Sequence, residues 1–307
     1  MISLRQHAIS IAAIFLALAV GLVLGGQVIG GGSLRADRGD GRTAELSDEN
    51  AELTAQLNAA DAFVARSAGR LLGGTLADRS VLVFTTPDAD NADVDAVTKS
   101  LLASGATVAG KVSLTAAFVD SGQGDRLRTA ATNMIPAGAQ LQTGAVDQGG
   151  LAGDLLGLAL LTDPGSGQPR ATEQERGLIL DTLRGGGFLN ADTVHPAQLA
   201  VVVTGDGAKA DQDNEGSIVG RFAGGLKGRS AGVVLAGRSG AADGSGPIAV
   251  VRGDSQLGST VTTVDNVNHE IGRVTTALGL SEQLNGVTGR YGTGAKANSL
   301  TVAAMPR

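Results

Sequence analysis

QLAVVVTG, Gln198–Gly205, sets five apolar residues in a row, Leu199–Val203, ahead of a Thr-Gly pair. An unbroken run rich in Val and stopped by glycine reads as a strand buried on both faces, as in the middle of a parallel sheet. The neighbouring stretches repeat the theme. SVLVF (Ser80–Phe84) and ATVAGKVSL (Ala106–Leu114) upstream read as strands, as do AGVVLAG (Ala231–Gly237), PIAVVRG (Pro247–Gly253) and the short TVTTVD (Thr260–Asp265) downstream. Helical patterns separate them: Asp125–Ile135, Leu151–Leu161 with Leu151, Leu155 and Leu158 on one face, Ser217–Leu226 and His269–Gly286. Pro87, Asp88, Asp90 and Asp93 sit where acidic side chains favour a helix start. TEQERGLILDTLRGGG (Thr172–Gly187) opens with a Thr-x-x-Glu capping pattern and stops at glycines. Strands alternating with helices predict an α/β domain with a mostly parallel sheet over residues 76–307.

The chain begins differently. Between Arg5 and Arg35 no residue carries a formal charge, and AISIAAIFLALAVGLVLGG (Ala8–Gly26) is long enough as a helix to cross a hydrocarbon core of about 30 Å. Residues 1–34 therefore predict an N-terminal transmembrane helix acting as anchor. A cleaved signal peptide is the main alternative, but the apolar core exceeds the usual length and no Ala-x-Ala site follows. Arg35, Arg38 and Arg42 outnumber Arg5, so basic residues alone would keep the C-terminal side inside.

Residues 35–75 read as a short coiled-coil stalk. With Leu46 at d, the seam runs Asn50 (a), Leu53 (d), Leu57 (a), Ala60 (d) and Val64 (a), flanked by Glu45, Asp48, Glu49, Glu52 and Gln56. Asn at an a position pairs with its mate and fixes register in a parallel homodimer. A single amphipathic helix packed on its own domain shows the same leucine spacing and stays open as the alternative. Gly30–Gly32, Gly39 and Gly41 are expected to interrupt any continuous helix between anchor and stalk.

Composition narrows the chemistry. The net charge is −6 and the aromatic residues are six Phe and one Tyr, so the basic, stacking surface that nucleic acid needs is missing. With no Cys, disulfides, zinc-thiolate sites and thiol catalysis are excluded. The outer-membrane barrel pattern of many ten-residue alternating strands is not present. The best ligand candidate is the loop after the strong strand, Thr204–Gly216. Gly205-Asp206-Gly207 lacks the third glycine of a dinucleotide fingerprint. Asp211, Asp213 and Glu215 imitate the first half of a calcium loop and are candidate cation ligands, but the twelfth position is Phe222 in place of Glu. Gly237-Arg238-Ser239-Gly240-Ala241 lacks the last glycine of a nucleophile elbow, and His7, His195 and His269 are isolated. No catalytic residue and no cofactor is assigned, and a non-enzymatic protein is expected.

FTTPDAD, VSLTAAFV, IPAGAQL, VDQGGLAGDLLGLALL, VVVTG, RFA, LAGR, TVD and GRYGTG occur in this order behind MISLRQHAISIAAIFLALAVGLVLG. In these stretches the chain resembles the mycobacterial copper transport protein B family over nearly its whole length. The resemblance implies a cell-envelope protein in copper efflux or homeostasis, single-pass, with an extracytoplasmic globular domain. It also implies a membrane or cell-wall protein partner, since related actinobacterial members are tied to cell separation and septal wall remodelling. The residues themselves do not supply copper ligands. Cu(I) prefers thiolate and thioether, whereas the methionines are only Met1, Met134 and Met305. His195 and His269 would serve Cu(II) only if folding joined them.

Overall fold

The computed structural model describes residues 36–136, 138–142, 147–208 and 214–303. The anchor segment and Gly30–Gly32 lie outside the described residues; among those described, no helix is long and apolar enough to cross a membrane. The chain divides into two units, Met1–Ala59 and Ala60–Arg307.

Helix α1, Ala36–Leu72, runs for 37 residues and carries the predicted stalk. Gly39 and Gly41 do not interrupt it. Each costs about 1 kcal/mol relative to Ala, which a helix of this length absorbs. Leu46, Leu53 and Leu57 are 52, 55 and 46% exposed, and Asn50 and Ala60 are exposed with them. Beyond Ala60 the helix changes role. Val64 and Ala68 pack against an apolar core of the second unit, and Leu72 is fully buried there.

The second unit is built on a seven-stranded sheet in the order β3-β2-β1-β4-β5-β6-β7. Its strands are β1 (Ser80–Thr85), β2 (Thr107–Leu114), β3 (Leu189–Ala191), β4 (Leu199–Val203), β5 (Gly232–Ala236), β6 (Thr262–Val264) and β7 (Arg290–Tyr291). All pairings are parallel except β2 with β3. Every residue of β4 is buried, because alternate side chains feed two cores. Ala200 and Val202 join Leu82 and Phe84 on one face; Leu199, Val201 and Val203 join Val81 and Val83 on the other. The predicted α/β architecture is what folding delivers.

Among the described residues, helices α2 (Asn91–Ala103), α3 (Ala116–Val119), α4 (Gly124–Asn133), α5 (Gln148–Leu160), α6 (Glu173–Gly185) and α7 (Glu215–Lys227) lie between β1 and β5. Then come α8 (Pro247–Gly253), α9 (Leu257–Thr260) and α10 (Glu270–Leu284). The capping box at α6 forms as predicted, with Thr172 and Glu175 satisfying each other's backbone N–H groups. PIAVVRG is a correction: it is helix α8, not a strand. Pro247 occupies the first turn, where its missing N–H costs nothing, and Ile248 and Val251 bury at helical spacing.

Helices α5 and α7 approach unusually closely. Gly149 and Gly153 face α7, where a methyl group on either would overlap the carbonyl oxygen of Ile218 or Phe222. Phe222 then reaches the sheet, edge-to-face with Phe84 and Phe118 at centroid distances of 5.3 Å each.

Candidate functional site

In an open α/β sheet the ligand crevice falls at the carboxyl ends of the strands, where strand order reverses. Here that point lies between β1 and β4, and the chain's own groups fill it. Thr86 Oγ1 donates to Asp88 Oδ1 at 2.5 Å, and Thr204 Oγ1 donates to the same atom at 3.3 Å. A side chain at Gly205 would collide with the Asp88 backbone. Gly205 therefore serves contact between two loops.

Beside this plug, Asp93 is 97% shielded and takes Arg238 Nε at 2.7 Å and Arg273 Nη2 at 3.3 Å. Asp90 caps α2 through Ala92 N at 2.8 Å and pairs with Arg238 Nη2 at 2.8 Å. The hydrogen bond that Arg238 donates to Asp93 is the chief cause that raises Arg238 above the ordinary guanidinium value. Arg273 also reaches Glu270 at 2.7 Å. The network ties the loops after β1, β5 and β6 into one charged surface whose groups are already paired.

A second polar centre is fully buried. Arg252 on α8 and Asp265 after β6 have no exposed side-chain surface and pair at 2.6 Å. Arg252 also donates to Thr263 Oγ1 at 3.0 Å, Ala295 O at 2.9 Å and Tyr291 O at 2.8 Å. Asp265 accepts from Thr293 N at 2.8 Å and Gly294 N at 3.1 Å. Gly292, at φ +124°, leaves room for this carboxylate where any side chain would strike it. Burial pulls the Arg252 guanidinium below its ordinary value, and the hydrogen bond it donates to Asp265 opposes that. TVD and GRYGTG thus meet at one ion pair. Tyr291 of the same motif donates to buried Glu282, and its hydroxyl is pushed well above the ordinary phenol value, first by burial and then by that carboxylate.

A third pair links IPAGAQL to the helix after it. Asp154, wholly buried on α5, binds Arg229 Nε at 2.5 Å and Gln142 N at 2.7 Å, while Arg229 Nη2 reaches Gln140 O at 2.8 Å. Buried pairs with this many hydrogen bonds hold loops in place.

Of the predicted cation ligands, Asp211 and Asp213 lie outside the described residues, and Glu215 is the first residue of α7. Phe222, at the position a calcium loop would give to Glu, is a core side chain with no exposed surface. Folding does not join His195 and His269, and His7 lies outside the described residues. His195 precedes β4 at the amino ends of the strands, bonding through its backbone N to Ala109 O at 2.8 Å. His269 follows β6 at the opposite ends, and its Nδ1 meets Asp61 Oδ2 at 3.0 Å. Among the described residues no three His, Asp or Glu side chains group as a metal site. Met134 is partly buried against the core, and Met1 and Met305 lie outside the described residues. The buried pairs Arg252–Asp265 and Asp154–Arg229 have no local sequence signal, whereas the spacing of Gly149, Gly153 and Gly157 was available to reading.

A family model described as "Copper transport outer membrane protein, MctB" matches residues 1–302. The protein named "Copper transporter MctB" from Mycobacterium tuberculosis is 41% identical over 313 aligned residues, covering 99% of this chain and all of that protein. Its namesake from Mycobacterium leprae is 43% identical over 324 aligned residues, covering 98% of this chain and 99% of that protein. The resemblance drawn from the motifs is borne out along nearly the full length.

Proposed function

The chain belongs to the MctB family of copper transport proteins, and on that premise we propose that it is a membrane-anchored cell-envelope protein with a non-enzymatic part in copper transport. It acts as a dimeric scaffold: the stalk pairs two copies in parallel, and the α/β unit is presented on the extracytoplasmic side to a membrane or wall protein. The observation that carries this reading is the helix with Leu46, Leu53 and Leu57 half exposed. A heptad stripe of leucine left in water is costly, roughly 1.5–3 kcal/mol of unused burial per side chain, and a second copy would cover it.

Charge placement supports a second copy as the occupant. The seam positions Leu46, Asn50, Leu53, Leu57 and Ala60 are uncharged, and Glu45, Asp48, Glu49 and Glu52 lie outside the seam. Leu53→Asp would place like charges face to face in it. Sedimentation equilibrium of the detergent-purified full chain is expected to give a dimer for wild type and a monomer for this variant. Asn50→Leu should raise the melting temperature of the assembly while admitting higher oligomers, because the register-fixing pair is gone. A wild-type monomer well above micromolar concentration would reject the scaffold.

The copper role is read as indirect, since soft ligands are scarce and the two described imidazoles lie at opposite ends of the sheet. Titration of the full chain with Cu(I) and Cu(II) against a competing chelator is expected to show no stoichiometric site tighter than about 1 μM, about −8 kcal/mol. Saturation at one or two coppers per chain below that concentration would make the protein a direct carrier.

A further inference from the structure

We propose that the root of α1, within Ala60–Leu72, is a second self-association surface, on which Phe63 of one copy lies against the α/β unit of the other. This rests on the parallel-dimer reading above and adds a contact that the seam does not contain. In the same heptad frame Asp61 and Ala68 take e positions, Phe63 takes g, and Ser67 and Leu71 continue the seam as d and a. The second unit covers only one side of this segment. Asp61 bonds His269 Nδ1 at 3.0 Å and Glu270 N at 3.2 Å, Ala68 packs on the core, and Leu72 is fully buried. Phe63 points away from that side and is 71% exposed, and Leu71, in line with Val64 one heptad on, is still 52% exposed.

A phenyl ring left in water on a well-formed helix is an unfilled half of a contact. In a parallel, in-register pair, each g residue meets the e residue five positions on in the other helix. That rule sets Glu49 against Thr54, Gln56 against Asp61 and Phe63 against Ala68, with no like charges opposed. Ala68 borders its own apolar core. The ring of one copy is therefore delivered to the edge of the other copy's α/β unit. Two-fold symmetry makes the contact twice. The consequence is that the two α/β units are fixed relative to each other, each gripping the stalk and touched by the opposite copy.

The absence of native Cys makes crosslinking unambiguous. Full-length chain in detergent, carrying Leu53→Cys, reports the stalk seam; chain carrying both Phe63→Cys and Ala68→Cys reports the new contact. With a short bismaleimide both are expected to give covalent dimers, while Phe63→Cys alone and Ala68→Cys alone stay at background. A dimer from Leu53→Cys without one from the double variant overturns this contact and leaves the stalk standing. Failure of Leu53→Cys itself removes the dimer and this contact with it. Phe63→Ser, an exposed change that leaves the fold intact, gives the second readout: the dimer dissociation constant should rise tenfold or more with the melting signal of the α/β unit unchanged. An unchanged dissociation constant would also overturn the proposal.

Discussion

Arg252→Leu is expected to remove about 3–5 kcal/mol from the stability of the α/β unit, the cost of leaving one member of a buried ion pair uncompensated. For a domain with about 5–15 kcal/mol in total, this approaches unfolding. The size follows from the geometry. Arg252 holds Asp265, Thr263 and two backbone carbonyls at once, and Asp265 in turn holds the backbone of Thr293 and Gly294. Removing the guanidinium leaves a carboxylate with no exposed surface and no cation. Adding Asp265→Asn to Arg252→Leu should recover part of the loss, because the stranded charge goes while an acceptor for Thr293 N remains. Far-UV circular dichroism during urea unfolding of the full chain checks this. A single-variant loss under about 1 kcal/mol, or a double variant equal to the sum of the singles, would show that the pair does not hold the GRYGTG loop.

This ion pair also marks where sequence reading stops. The Val-rich β4 was legible because burial on both faces leaves no polar alternation, and Thr172 with Glu175 was legible because a capping box is local. β3 and β7 span three and two residues, too few to carry a pattern, and are held by pairing to a neighbour. PIAVVRG misleads because its β-branched residues suit a strand, while Pro247 at the first position selects a helix start. The partners Arg252 and Asp265, or Asp154 and Arg229, are distant in sequence and meet only after the sheet forms. Phe222, the twelfth position of the calcium-loop frame that opens at Asp211, belongs to the aromatic core, a role that the loop's own sequence does not announce. The helix over the predicted stalk was legible, but the packing of Val64, Ala68 and Leu72 in the second unit depends on a surface that the heptad pattern cannot reveal.

Gly153→Ala and Gly177→Ala are expected to shift stability in opposite directions. Both residues lie inside helices, α5 and α6, so helix propensity alone favours alanine by up to about 1 kcal/mol in each. At Gly177 nothing stands within 4 Å of the added methyl, and that gain should appear as a raised melting temperature. At Gly153 the methyl would be driven into the Phe222 carbonyl, which is backbone and cannot swing aside. The two helices would have to part, opening contacts that Phe222 makes with Phe84 and Phe118. Overpacking of this kind costs about 1–3 kcal/mol, and since the neighbour is rigid the upper end is expected, net of the propensity gain. Urea midpoints of the two variants against wild type decide the matter. Equal shifts of the same sign would mean that Gly153 is tolerated like any exposed helix glycine, and that the close packing of α5 on α7 does not set the position of the Phe222 side chain over the sheet.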